Sequence, residues 1–139
     1  MMSISATTDY ALRAAVALAA AAPDALSAEK IASGQGIPRS YCSSILQQFR
    51  RAGLVHGRRG SGYRLARRPG EVSVADVIEI VEGVEEKRRV HAVAGPLAVI
   101  RTAAREREYV LLAKITLADI LASAEVRPRL GRSPSSPGP

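Results

Sequence analysis

Within residues 38–66 the apolar spacing switches from a helical period to an alternating one, and a stretch built for one cannot settle as the other. Cys42, Ile45, Leu46 and Phe49 recur at i, i+3, i+4 and i+7, which predicts a helix with one apolar face, opened by Pro38 and closed by Gly53. Its other face carries Ser40, Ser43, Ser44, Gln47, Arg50 and Arg51, all polar or basic. Just upstream, Ser27 is placed to cap a short helix, AEKIASG, with Glu29 in its first turn and Gly34 and Gly36 to end it. Helix, glycine-containing turn, then helix with a hydrogen-bonding outer face is the helix-turn-helix pattern, whose second helix enters a major groove. Two alternating segments follow, Leu54 to Arg58 and Tyr63 to Ala66, on either side of Gly60-Ser61-Gly62. They predict a β-hairpin, or wing, that carries Arg58 and Arg59 out toward a phosphate backbone or a minor groove.

Charge supports a polyanionic partner. From Lys30 to Gly70 there are nine cations (Lys30, Arg39, Arg50, Arg51, Arg58, Arg59, Arg64, Arg67 and Arg68) and no carboxylate, within a chain of formal charge +7. A solvated surface explains a short run of like charge, but a run of this length without a counter-charge favours nucleic acid. Hydrophobic residues make up 47% of the 139 residues and aromatics only 4%, so Ala, Val, Leu and Ile must build the core, which favours packed helices. The expected fold is therefore mainly α with a small β-hairpin wing. No apolar run is long enough to span a membrane and the N-terminus lacks a signal peptide, which reads as a cytoplasmic protein with no membrane partner. The single cysteine excludes an internal disulfide and any metal site built from several thiolates of this chain. No phosphate-loop, nucleophile-elbow or zinc-protease motif is present, so no enzyme is expected and no cofactor is assigned.

The rest of the chain reads as helices. Residues 8–22 are alanine-rich up to Pro23, with Tyr10, Ala14, Val16 and Leu18 as an apolar stripe. Ser73 and Asp76 match a capping box opening a helix, VADVIEIVEG, that Gly83 should stop. A loop, VEEKRRVHAVAG, would then lead to Pro96 and a helix over Leu97 to Lys114 with Leu97, Ile100, Ala104 and Leu111 along one side. Thr116 and Asp119 form a second capping box for a last turn or two, and from Val126 the composition suggests a flexible tail. This divides the chain into a winged helix-turn-helix over 1–83, a short effector loop over 84–95, a dimerisation helix and terminal helix over 96–124, and a disordered tail over 125–139. A long helix with an apolar stripe has little domain left to cover it, so a twin helix in a homodimer is expected.

TDYALRA, IASGQGIPRSYCSSILQQFRRAGLV, RRGSGYRLAR, EVSVADVIEIVEG and ITLADIL occur in an order and spacing that resembles the Rrf-two family of bacterial transcription regulators, over residues 3–122. The resemblance implies a winged helix-turn-helix followed by a long helix that crosses its twin, a dimeric repressor or activator on double-stranded DNA. It places groove-reading residues on Ser40, Tyr41, Ser43 and Ser44 and the wing arginine on Arg59. With the residues around them, the expected DNA-contacting set is Arg39, Ser40, Tyr41, Ser43, Ser44, Gln47, Arg51, Arg58, Arg59, Ser61, Tyr63 and Arg64. Many members hold an iron-sulfur cluster through cysteines in the loop before the dimer helix; residues 84–95 here contain none, so a cluster of that type is not expected. Asp9 matches a carboxylate that ligates the cluster in one branch of the family, and without thiolate partners it is expected to be structural or inert.

Cys42 admits two readings: a small buried hydrophobe, or a thiol switch whose pKa Arg39 and the helix N-terminus lower. His91 in the loop and His56 before the wing are expected to be solvated. Four sources of a signal stay open: a small molecule near the dimer helices, the Cys42 thiol, a partner protein, or none. A competing reading is a protein-interaction module with DNA binding secondary, which would not need the acid-free basic segment. RNA binding lacks aromatic platforms, with only Tyr41 and Tyr63 nearby.

Overall fold

The computed structural model describes the backbone of residues 5–58, 60–92 and 96–132 and, within these, the side chains outside 84–92 and 125–132. Helix α1 (Ala6–Ala21) starts where the Ser5 hydroxyl accepts the Thr8 N–H at 3.1 Å, and its alanines let neighbouring helices approach closely. Thr8, Ala11, Ala14, Ala15, Leu18 and Ala19 form its buried side. Helix α2 (Ala28–Gln35) is capped by Ser27 as the sequence implies and ends at Gly36, whose φ of 65° needs a residue without a Cβ. After Pro38, α3 (Arg39–Arg51) inserts Cys42, Ile45, Leu46 and Phe49 into the core that α1 and α2 leave open.

Strands β1 (Val55–Arg58) and β2 (Gly62–Leu65) pair antiparallel with Val55 opposite Leu65 and Gly57 opposite Tyr63. The hairpin is anchored to the domain by a further rung: the Leu26 N–H donates to the Tyr63 carbonyl at 2.8 Å and the Tyr63 N–H to the Leu26 carbonyl at 2.7 Å. The approach is so close at Gly57, with φ of 129°, that a Cβ there would lie 2.9 Å from Tyr63 Cα. Phe49, Leu18, Ile31, Ile45, Leu46 and Leu54 are fully buried between these elements. Each such side chain contributes about 1.5–3 kcal/mol of transfer free energy.

Helices α4 (Val74–Ala92), α5 (Pro96–Leu112) and α6 (Leu117–Arg132) complete the chain. Both expected capping boxes form: Ser73 with Asp76 at 2.9 and 3.0 Å, and Thr116 with Asp119 at 2.9 and 3.1 Å. The two boxes lie side by side, because Ser73 bridges Thr116, with Val74 N–H donating to the Ile115 carbonyl and Leu117 N–H to the Val72 carbonyl. That bridge returns the end of α5 to the winged helix and lets α6 pack on α1, with Leu117 fully buried.

Two expected boundaries are corrected. Gly83 does not stop α4, and the segment expected as a loop over 84–95 is helical as far as Ala92, with residues 93–95 outside the described ones. A lone glycine in a helix interior costs only about 1 kcal/mol, and the run Glu85-Glu86-Lys87-Arg88-Arg89 is made of strong helix formers. Likewise α6 continues to Arg132, past the point where composition suggests a tail and across Pro128; residues 133–139 lie outside the described ones.

Candidate nucleic-acid interface

Helix α3 separates its residues cleanly. Cys42, Ile45, Leu46 and Phe49 are each at most 1% exposed, while Ser40, Ser43, Ser44, Gln47, Arg50 and Arg51 all face solvent. No acidic residue stands in its first turn, and Arg50 and Arg51 occupy its last. The outer surface is thus a ridge of hydroxyls and an amide flanked by guanidinium groups, the side-chain types that bond base edges and phosphates. Ser44 accepts a bond from Gln48 at 3.4 Å, which leaves Ser40, Ser43 and Gln47 with no described side-chain partner on that ridge. Tyr41 lies at the margin of the ridge, 47% exposed, with its ring against Tyr10 of α1.

The wing stands next to it. Arg58 ends β1 and is exposed, Ser61 closes the turn through its N–H on the Arg58 carbonyl at 3.0 Å, and Arg64 projects from β2. Arg59, expected at the tip, lies outside the described residues. Tyr63 is corrected: at 7% exposure it belongs to the core rather than to the DNA-contacting set. The alternation of β2 sends its side chain inward while Arg64 faces out, and the Leu26 rung closes over it. His56, expected just before the wing, lies within β1 opposite Arg64, both exposed. Its equal parity with Arg58 is the signal that could have placed it on the outward face.

Counting charge along the chain overstated the absence of acids. Glu29, one residue outside the basic segment, reaches Arg39 at 3.0 Å across the α2–α3 turn, both side chains about three-quarters exposed. Glu71 accepts the Arg68 N–H at 3.3 Å. Neither acid touches the α3 ridge, so its positive flank at Arg50 and Arg51 and the wing cations Arg58 and Arg64 stand without a described ion pair.

The thiol-switch reading of Cys42 is corrected. Its side chain is 1% exposed, its Sγ donates to the Ala28 carbonyl at 3.7 Å, and burial pushes the thiol above its ordinary pKa. Desolvation disfavours the thiolate here, and the thiol acts as a small apolar side chain. Asp9 forms an exposed ion pair with Arg13 at 2.8 Å. Glu82 of α4 accepts a bond from the buried Thr8 hydroxyl and pairs with Arg105 of α5 at 3.3 Å, a tie between the winged helix and the following helix that no motif announced.

Comparison with known proteins agrees with this architecture. Residues 4–123 match the model of the Rrf2 family, described as an iron-dependent transcriptional regulator. A helix-turn-helix-type regulator of Mycobacterium tuberculosis is 41% identical over 85 residues, 59% of this chain and 53% of that one. The transcriptional regulator IscR of Cereibacter sphaeroides is 34% identical over 99 residues, 68% of this chain and 63% of that one. The chain therefore spans roughly half the length of the curated relatives it matches first. Among solved structures, T. potens IscR superposes with a TM-score of 0.71 at 29% identity, covering 88% of each chain. CymR, the global cysteine regulator of B. subtilis, shares the fold, with a TM-score of 0.68 at 24% identity over 88% of this chain and 98% of that one.

The family description names iron, and the donor set of this chain does not fit a thiolate-bound cluster. The sequence holds one cysteine, and that thiol is buried on the inner face of α3. Among the described residues no group of three His, Cys, Asp or Glu side chains is arranged to hold a metal. The fold, the helix-turn-helix with its wing and a family match over 4–123 agree, and the chain belongs to the Rrf2 family of transcriptional regulators.

Proposed function

We propose that the protein is a homodimeric, sequence-specific DNA-binding repressor that does not use a thiolate-ligated cluster. The observation that carries the reading is the α3 ridge: a helix whose apolar half is wholly buried presents Ser40, Ser43, Ser44, Gln47 and Arg51 to solvent, beside a wing bearing Arg58 and Arg64. In this reading Ser43 and Gln47 meet base edges in a major groove while Arg51, Arg58 and Arg59 meet phosphates or an adjacent minor groove. The four titratable acids nearest the basic segment in sequence, Asp24, Glu29, Glu71 and Asp76, do not lie on α3 or the wing.

The dimer rests on α5. None of its residues is buried, and Leu97, Val99, Ile100 and Leu111 are 64–69% exposed. Its half-buried residues are Ala98, Arg105, Glu108 and Leu112, with Arg105 paired to Glu82 of α4, whereas the other large aliphatic residues of the helix, Val110 included, meet solvent. A second copy offers the same surface, and two-fold pairing along α5 would cover both. Two reading helices related by that axis require a roughly palindromic operator. No described helix is long and apolar enough to cross a membrane, and we assign the protein to the cytoplasm without an enzymatic activity.

Selection of bound duplexes from a random pool tests the reading. The expected result is a symmetric motif of two half-sites bound by a dimer. Recovery of no enriched sequence, or of an unpaired half-site by a monomer, would sink it.

A further inference from the structure

Arg13 of α1 makes three contacts that converge on one place. It pairs with Asp9 at 2.8 Å, donates to the carbonyl of Gln35 at the end of α2 at 3.1 Å, and lies over the Tyr10 ring at 5.9 Å from its centre. Tyr10 in turn meets the ring of Tyr41, with centroids 5.5 Å apart and planes tilted by 57°. Tyr41 is the third residue of α3 and stands at the margin of the ridge. The guanidinium is thus a clamp on the helix-turn-helix corner, and its last link is an exposed phenol on the reading helix.

We infer that Arg13 is a positioning residue for operator binding, holding Tyr41 through Tyr10 in the orientation that meets the DNA backbone. The inference rests on the DNA-reading proposal above. An exposed ion pair such as Asp9–Arg13, with side chains 45% and 47% accessible, contributes little to folding. What the planar guanidinium provides is geometry, since it satisfies a carboxylate and a carbonyl while lying over a ring at cation–π distance. A tyrosine at the first turn of a groove-bound helix flanks the groove wall, where its hydroxyl donates to a phosphate oxygen. An unbraced ring would have to be ordered on binding, and pre-ordering it removes that loss.

The test is a double-mutant cycle on the operator selected by the wild-type protein, with Arg13→Met, Tyr41→Ala and the pair. Ordering one side chain corresponds to about a 2- to 10-fold weakening for Arg13→Met, with an unchanged slope of log affinity against log salt because no phosphate contact is lost. The pair should bind no more weakly than Tyr41→Ala alone. Additive losses, or a slope reduced by about 0.9 in Arg13→Met, would overturn the inference, the second by making Arg13 a direct phosphate contact. Should Arg13→Met fold poorly, Arg13→Lys in the same cycle carries the same expectation with a smaller loss. Failure of the wild type to select any operator counts against the DNA reading itself, whereas normal selection with additive losses counts only against the positioning role.

Discussion

Helices α3 and α5 are both amphipathic, and they spend their apolar faces in opposite ways. In α3 the row Cys42, Ile45, Leu46, Phe49 is sealed in the domain core and the polar row is left to the solvent. In α5 no residue is buried, and most of its large aliphatic side chains, Leu97, Val99, Ile100, Val110 and Leu111, meet solvent. A helix that hides its apolar face has finished folding within its own chain, and what it shows is available for a ligand. A helix that shows its apolar face is waiting for protein, because water is the costlier neighbour for that surface. On the proposed reading, one chain carries two unlike surfaces, one to meet nucleic acid and one to meet a second copy.

The contrast breaks first on the core side. Phe49→Ala should destabilise the winged helix by about 3–5 kcal/mol, through lost transfer energy and the cavity left behind. A denaturant melt showing less than about 1 kcal/mol would mean that α3 is not held by that face. The mirror experiment on α5, Ile100→Glu with Leu111→Glu, should leave the melt of the winged helix nearly unchanged while sedimentation shifts to the monomer. Operator affinity should then fall by about 100-fold or more, since the two half-sites are no longer linked. Persistence of the dimer would show that the exposed row is not the interface.

Smaller effects sharpen the picture. Ser73→Ala removes the cap of α4 and should cost about 1 kcal/mol, read in the same melt. Arg58→Ala should weaken binding to all duplexes alike and lower the salt slope by about 0.9, with base preference intact; an unchanged slope would remove the wing from the interface. The smallest expected effect is none: because burial raises the Cys42 thiol and keeps it protonated at neutral pH, peroxide treatment should leave operator affinity unchanged. Loss of binding in wild type that Cys42→Ser escapes would restore the thiol switch.

Much of this was legible without coordinates, and the residues show why. The cap serines, the Ser73 and Thr116 boxes and the Cys42 to Phe49 row are local signals, carried by neighbours a few positions apart. Local backbone and period-matched packing are what such spacing encodes. The errors lie where local rules compete. Gly83 is a stop signal only when the following residues do not propagate the helix, and here they do.

By itself the sequence determined the order of elements, the helix with a polar and basic outer face, the wing and the exclusion of a several-thiolate cluster, because composition and short-range periodicity are properties of the chain. Only the tertiary structure decided that Tyr63 turns inward on the Leu26 rung, that Glu29 pairs with Arg39, that Cys42 is sealed from solvent, and that Tyr10 meets the ring of Tyr41. Each of these joins residues distant in sequence, and which side of a strand or helix meets a neighbour is fixed by packing between elements, which no local pattern records.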